Sequence, residues 1–303
     1  MYISTPFISV LAAASTAQAF QFSDITTTAS NIKRGIKQEA CPAVWSEISA
    51  TLTQQFLADG QCTDAARAAI RAGFHDCFNG ACDGSLILAD ECSRPENIGL
   101  ARLCGNLGNL AQQKNVGVGD LIQFAAAHAI KTCPGGPTVP VKIGRKDSST
   151  PSPAGILPTG HESAPDLIAH FAARGFSAID LAALIGAHTA ARNRVTVPDK
   201  ANLTMDSTPG QWDNRYYAET INGKAPVTIP SDRNMAGNLL TGVPMRSFAV
   251  SQGAWGVAFV PAMEKMGLMG VGRSGLVDCT AALPGGSRRR DVKRAGVWER
   301  VRW

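Results

Sequence analysis

Residues Arg71–Ser85 read RAGFHDCFNGACDGS: an arginine and a histidine four positions apart, then two cysteines among Asp, Asn and Gly, all within fifteen residues. On a helix Arg71 and His75 share a face, whereas the Asn and Gly positions that follow belong to a turning loop. Upstream, Thr63 and Asp64 followed by the Ala-rich run ARAAIRAGFHD predict a capped helix that carries the pair. Alone, such a pair is a surface contact more often than a site. A second histidine segment, Gly186-Ala187-His188-Thr189, also stands late in an Ala/Leu-rich helical pattern and raises the interest of both.

Outward from this stretch the text is helical. Val44, Ile48, Leu52 and Phe56 are spaced for a helix over Ala43–Phe56, and another is expected from about Val116 to Cys133. SAPDLIAHFAARG and SAIDLAALIGAHTAAR each open on a capping Ser. MRSFAVSQGAWGVAFVPAMEKMG is expected as the last helix, with Phe248, Trp255, Phe259 and Met263 as its core stripe. GGPTVPVKIGRKDSSTPSPAGILPTG reads as a connection between lobes with a short strand, and Val195–Pro230 as loop-rich. The fold class is mostly α, with about ten helices and no internal repeats.

The first nineteen residues end in Ala17-Gln18-Ala19 after an apolar run, a secretory signal pattern that lacks a positive start. No other run approaches the ~20 apolar residues of a membrane span. Eight cysteines in a secreted chain indicate four disulfides, with 105 pairings open to sequence alone. No C-x-x-C pair is present, which argues against structural zinc. Of 29 Lys and Arg and 24 Asp and Glu, seven and two fall in Ser287–Trp303, leaving 22 of each. The body is therefore neutral, so the overall pI says nothing about a polyanion partner, and no nucleic-acid partner is expected. The basic tail reads as a solvated or trimmed end. Lys33-Arg34 reads equally as a propeptide processing site or as two surface charges. The expected organisation is 1–19 signal, 20–34 propeptide, 35–158 and 159–286 two lobes, and 287–303 tail.

RAGFHDCFNGACDGS, ENIGL, GDLIQFAAA, CPGGP, GRKDS, GAHTAAR, DSTPGQWD and PSDRN, in this order, resemble the plant and fungal secretory haem peroxidases, closest to fungal class II with some plant class III features. The resemblance covers roughly Cys41–Cys279 and implies a two-lobed fold with one haem b sandwiched between a distal and a proximal lobe. It implies His188 as the proximal iron ligand and Asp232 as the carboxylate that holds its other ring nitrogen. It implies His75 as the distal base that takes a proton from hydrogen peroxide and passes it to the departing oxygen. Asn97 would hold the Nδ1 hydrogen of His75, and Arg71 would stabilise charge on that oxygen. Phe74 would keep bulky donors from the iron, and Pro158 would stand near the opening at the haem edge. Two calcium ions are implied: one on Asp76, Asp83, Ser85 and the carbonyls of Asn79 and Ala81, the other on Thr189, Asp206, Thr208, the carbonyl of Gln211, and Asp213. The implied disulfides are Cys41–Cys279, Cys62–Cys133, Cys77–Cys82 and, as the remaining pair, Cys92–Cys104.

The family pattern also breaks. Where manganese peroxidases place three carboxylates, this chain has Asp64, Ala68 and Arg194. Where lignin and versatile peroxidases carry a surface tryptophan, it has Ala183, and Met205 replaces a proximal Phe. His161 lies near the expected opening, His128 and His170 read as structural, and Asn202-Leu203-Thr204 is a glycosylation sequon near the second calcium loop. The expectation is a secreted, monomeric enzyme using hydrogen peroxide to oxidise small phenols or aromatic amines by single electrons. Two competing readings are a non-enzymatic wall or adhesion protein on the same fold, opposed by the intact Arg71, His75, His188 and Asp232, and an intracellular ascorbate-type scavenger, opposed by the signal and cysteines.

Overall fold

The computed structural model describes residues 40–272 and 274–285. The expected signal, propeptide and basic tail lie outside the described residues. From Ala40 onward the chain forms a unit of its own. Its elements are α1 (Val44–Phe56), a hairpin of β1 (Leu57–Ala58) and β2 (Gln61–Cys62), α2 (Asp64–Phe78), α3 (Ser85–Leu88), α4 (Ala101–Lys114) and α5 (Val118–Thr132). After β3 (Lys142–Ile143) come α6 (Ala164–Ala172), α7 (Ala178–Leu184), α8 (Arg215–Ile221), α9 (Pro230–Gly237), α10 (Leu239–Val250), α11 (Gln252–Met266) and β4 (Val277–Asp278). The mostly α expectation holds.

Local chemistry explains where these elements begin. Thr63 caps α2, its Oγ1 accepting from Ala66 N at 3.3 Å. Just before it, Asp59 and Gly60 both have positive φ, 51° and 71°, the pair a two-residue hairpin turn requires. Ser163 caps α6, and Ser177 with Asp180 forms a reciprocal capping box on α7. The strand expected in the lobe connection is β3, paired antiparallel with β4 near the other end of the described chain.

α5 is buried along nearly its whole length and forms the axis of the core. α2 lies so close to it that a Cβ on Gly73 would stand 2.6 Å from the Ala126 Cβ. The GRKDS motif holds this axis in place. Asp147 accepts from the N–H groups of Val118 and Gly119 at 2.8 and 2.9 Å, a carboxylate on the positive end of the helix. Arg145 pairs with buried Asp120 at 2.9 Å. The structure forms the bridges Cys41–Cys279, Cys62–Cys133, Cys77–Cys82 and Cys92–Cys104, the pairs the resemblance implies. The first closes a separation of 238 residues. In the loop-entropy account that constrains the unfolded chain by about 5 kcal/mol.

Three expectations need correction. The last helix is two, because Ser251 leaves helical geometry and its Oγ accepts from Ala254 N, starting α11. The stretch read as loops contains α8. His188 is not on an α-helix: α7 ends at Leu184, and Ile185–Ala190 continues as a tighter 3-10 segment. α4 was not anticipated at all; Gly105 and Gly108 interrupt its propensity, and its buried stripe of Leu103, Leu107 and Leu110 holds it.

Candidate active site

α2 brings Arg71, Phe74 and His75 to one side of a cavity of about 520 Å³, and the 3-10 segment brings His188 to it from the other half of the chain. Leu167, Leu181, Leu184, Met235 and Met266 supply much of its apolar wall, and Pro158 lies in its lining. Volume and lining are those of cofactor sites: mostly apolar, with a few convergent polar groups.

The two histidines are held by opposite chemistry. His75 Nδ1 lies 2.5 Å from Asn97 Oδ1, and Arg71 Nε donates to His75 Nε2 at 3.0 Å. An amide oxygen only accepts and a guanidinium only donates, so His75 is neutral with its proton on Nδ1. Burial, then Arg71, outweigh the Asn97 bond and push its pKa down to about 3. Asn97 is itself fully buried, its Nδ2 donating to Glu91 O at 2.8 Å. Arg71 is fixed by the carbonyls of Ile98 and Glu96, both at 2.7 Å. Burial, then Arg194, pull its pKa down to about 10, so it stays cationic near neutral pH.

His188 Nδ1 lies 2.8 Å from Asp232 Oδ2. Burial lowers the His188 pKa, but the Asp232 carboxylate outweighs it and the net shift is upward. Its side chain is 32% accessible, on the cavity side, and its Nε2 takes no hydrogen bond among the described residues. Gly186 lets this segment approach the core, since a Cβ there would lie 2.3 Å from the Tyr217 hydroxyl and 2.6 Å from Trp255. Tyr216 was missed by sequence reasoning. It sits on α8 with its ring edge-on to His188, centroids 5.7 Å apart, and burial with nearby Asp232 pushes its phenol well above the usual range. The Arg-Tyr-Tyr text lay inside a stretch read as loop, and nothing in its spacing pointed to His188.

An iron porphyrin fits this cavity on chemical grounds: a free imidazole nitrogen to bind iron on one side, a neutral base and a cation on the other, and apolar walls between. The two oxygen-donor sets fit hard cations in a similar way. Asp76 is buried, accepting from Gly84 N at 3.2 Å and Leu86 N at 3.3 Å, and burial raises its pKa to about 7. Asp83 Oδ1 accepts from Ser85 N at 3.1 Å, and among the described residues no loop N–H donates to the carbonyls of Asn79 and Ala81. Asn79 Oδ1 is buried without a partner among the described residues. Asp206 is the counterpart on the other side: buried, taking Thr189 Oγ1 at 2.6 Å and Thr208 N at 2.9 Å, its pKa also raised to about 7 by burial and then by Asp213 and Glu219. Thr208 Oγ1 donates to Asp213 at 2.8 Å, and among the described residues no loop N–H donates to the Gln211 carbonyl. Among the described residues no three His, Cys, Asp or Glu side chains gather as a metal cluster. Each set instead combines two carboxylates with hydroxyls and carbonyls, the donors calcium takes.

Other sequence candidates fall elsewhere. Trp45, Trp212 and Trp255 are core residues. His128 is buried on the Ser49 carbonyl at 2.9 Å, His170 stacks edge-on to Phe78, and His161 is exposed. Ala183 is fully buried, its carbonyl accepting from Trp255 Nε1 at 2.9 Å.

The family model described as peroxidase matches residues 44–251. The chain is 32% identical over 261 residues to a low-redox potential peroxidase of Taiwanofungus camphoratus, spanning 79% of this chain and 77% of the relative. It is 27% identical over 292 residues to manganese peroxidase 3 of Phlebia radiata, spanning 80% of each. It is 28% identical over 274 residues to a peroxidase of Arthromyces ramosus, spanning 80% of this chain and 75% of the relative.

Proposed function

The chain belongs to the plant and fungal haem peroxidases, on the fungal class II side, and is an oxidoreductase that uses hydrogen peroxide; on that premise we propose a secreted, calcium-braced enzyme that draws single electrons from small phenols or aromatic amines. One observation carries the reading: His75 and His188 line the same cavity with opposite hydrogen-bond partners. Haem bound there would supply the redox chemistry by which the two oxidising equivalents of peroxide reach two donor molecules.

His188 would hold the iron through Nε2, while Asp232 on Nδ1 fixes its tautomer and makes the ring more electron-donating. His75 is neutral, and its one acceptor is Nε2, on which Arg71 Nε now donates; peroxide takes the place of that bond, gives its proton to Nε2, and His75 delivers it to the outer oxygen, which leaves as water. Asn97 keeps that lone pair aimed by holding the other ring hydrogen. Arg71 stabilises the charge that builds on the leaving oxygen. Phe74 narrows access beside His75, so donors react at the opening near Pro158. The two calcium ions would sit next to the histidines in sequence, on Asp76 and on Thr189, and brace both walls.

Manganese is not the proposed donor. Asp64 Oδ1 is already engaged by Arg67 at 2.9 Å and Arg192 at 3.0 Å, and the other two positions are Ala68 and Arg194. Ala183 provides no aromatic relay for bulky high-potential donors. Steady-state turnover on phenols, manganese(II) and a high-potential dye tests the reading. Turnover of phenols alone supports it; manganese as the preferred donor would overturn the donor assignment.

A further inference from the structure

We propose that Arg194 forms a carboxylate-binding position at the rim of the cavity, where manganese-oxidising relatives would hold a cation. The inference rests on the peroxidase reading of the same cavity. Four arginines, Arg67, Arg71, Arg192 and Arg194, line this cavity, against two acids, Glu96 and Asp232. The body of the chain is charge-neutral, so this is a local concentration of positive charge.

Three of the four are already committed. Arg67 donates to Asp64 and to the carbonyls of Cys62 and Pro209 at 2.8 and 2.7 Å. Arg192 donates to the same Asp64 oxygen at 3.0 Å and to the Asn202 carbonyl at 3.0 Å. Arg71 faces His75 and two carbonyls. Arg194 donates only to Asn202 Oδ1, at 2.7 Å, and no carboxylate lies within ion-pair distance of it among the described residues. Its stem runs along Gly99, where a Cβ would come within 3.3 Å of Nε. The side chain is thus placed by Asn202 and the Gly99 backbone while most of its five donors remain free.

A planar guanidinium with open donors takes a carboxylate on two parallel bonds. Arg194 also disfavours the charge on Arg71, so an anion at the rim relieves repulsion between two cations of one cavity. Two carboxylates could come here: one carried by the haem itself, or one carried by an aromatic donor waiting at the edge.

The test uses the haem-loaded enzyme and R194Q and R194K variants. One arm measures equilibrium binding and KM for a phenolic acid and for its neutral methyl ester. The other measures haem transfer to an apoprotein acceptor. If a donor carboxylate binds, R194Q weakens the acid about tenfold or more relative to the ester, and R194K restores part of the difference. If the haem carboxylate binds, R194Q speeds haem transfer at least severalfold with acid and ester affected alike. Both results uphold the position and tell its occupant. Unchanged haem transfer together with an unchanged acid-to-ester ratio overturns it. The ester separates this from the peroxidase reading, since an enzyme that turns over neither donor refutes that reading instead.

Discussion

The two walls of the cavity each present an imidazole, and their neighbours make them different reagents. On the α2 side His75 faces an amide oxygen and a guanidinium, which leave it neutral with its Nε2 lone pair turned to Arg71 in the same cavity. On the other side His188 faces a carboxylate, which raises its basicity and leaves Nε2 open. On the proposed reading one residue type thus serves as proton carrier or as metal ligand according to what holds its Nδ1. Each wall also carries a buried acid near its histidine: Asp76 directly follows His75 and accepts from Gly84 N, whereas Asp206 accepts from Thr189, which follows His188.

Substitutions at the two walls should therefore fail differently. The largest effect is expected from His75→Ala, which should slow peroxide cleavage by about 10²–10⁴-fold while haem remains bound; stopped-flow mixing with peroxide reads this, and a parental rate would remove His75 from its role. Asp232→Asn should lower metal affinity or turnover by about 10–100-fold. Haem titration and turnover measure that loss, and an unchanged variant would make the two walls equivalent. Gly186→Ala should destabilise the fold by about 1–3 kcal/mol, because the added methyl meets Trp255 and Tyr217; denaturant unfolding is the check. The smallest effect concerns pH. With the His75 pKa held down to about 3, cleavage should persist as pH falls from neutral and decline only near that value, where the base becomes protonated. A decline centred near 6.5, the ordinary imidazole value, would show that burial and Arg71 do not act as described.

Much of this was legible in the text because the chemistry-bearing residues occur in short contiguous motifs. Spacing puts Arg71 and His75 on one helix face, and the resemblance carried by those short motifs is what joins Asp76, His188 and Thr189 to them. What stayed hidden depends on tertiary placement. The apolar period runs through Ser251 without a break, Phe248 and Trp255 being on one face, and only the Ser251 cap bond divides α10 from α11. Tyr216 reaches His188 because α8 folds back within a stretch whose Pro, Gly and Asp content signals loops. Arg194 could be read as the absence of a carboxylate, but not as a cation with no carboxylate partner among the described residues, since that required Asp64 to be taken by Arg67 and Arg192.

The opposed roles of the two imidazoles can be tested most directly by loading wild-type protein, His188→Ala and His75→Ala with haem and recording the spectroscopic signature of axial nitrogen ligation. His188→Ala should lose that signature and regain it with added imidazole, while His75→Ala should keep it. Loss of the signature in His75→Ala with retention in His188→Ala would contradict the assignment of the two walls.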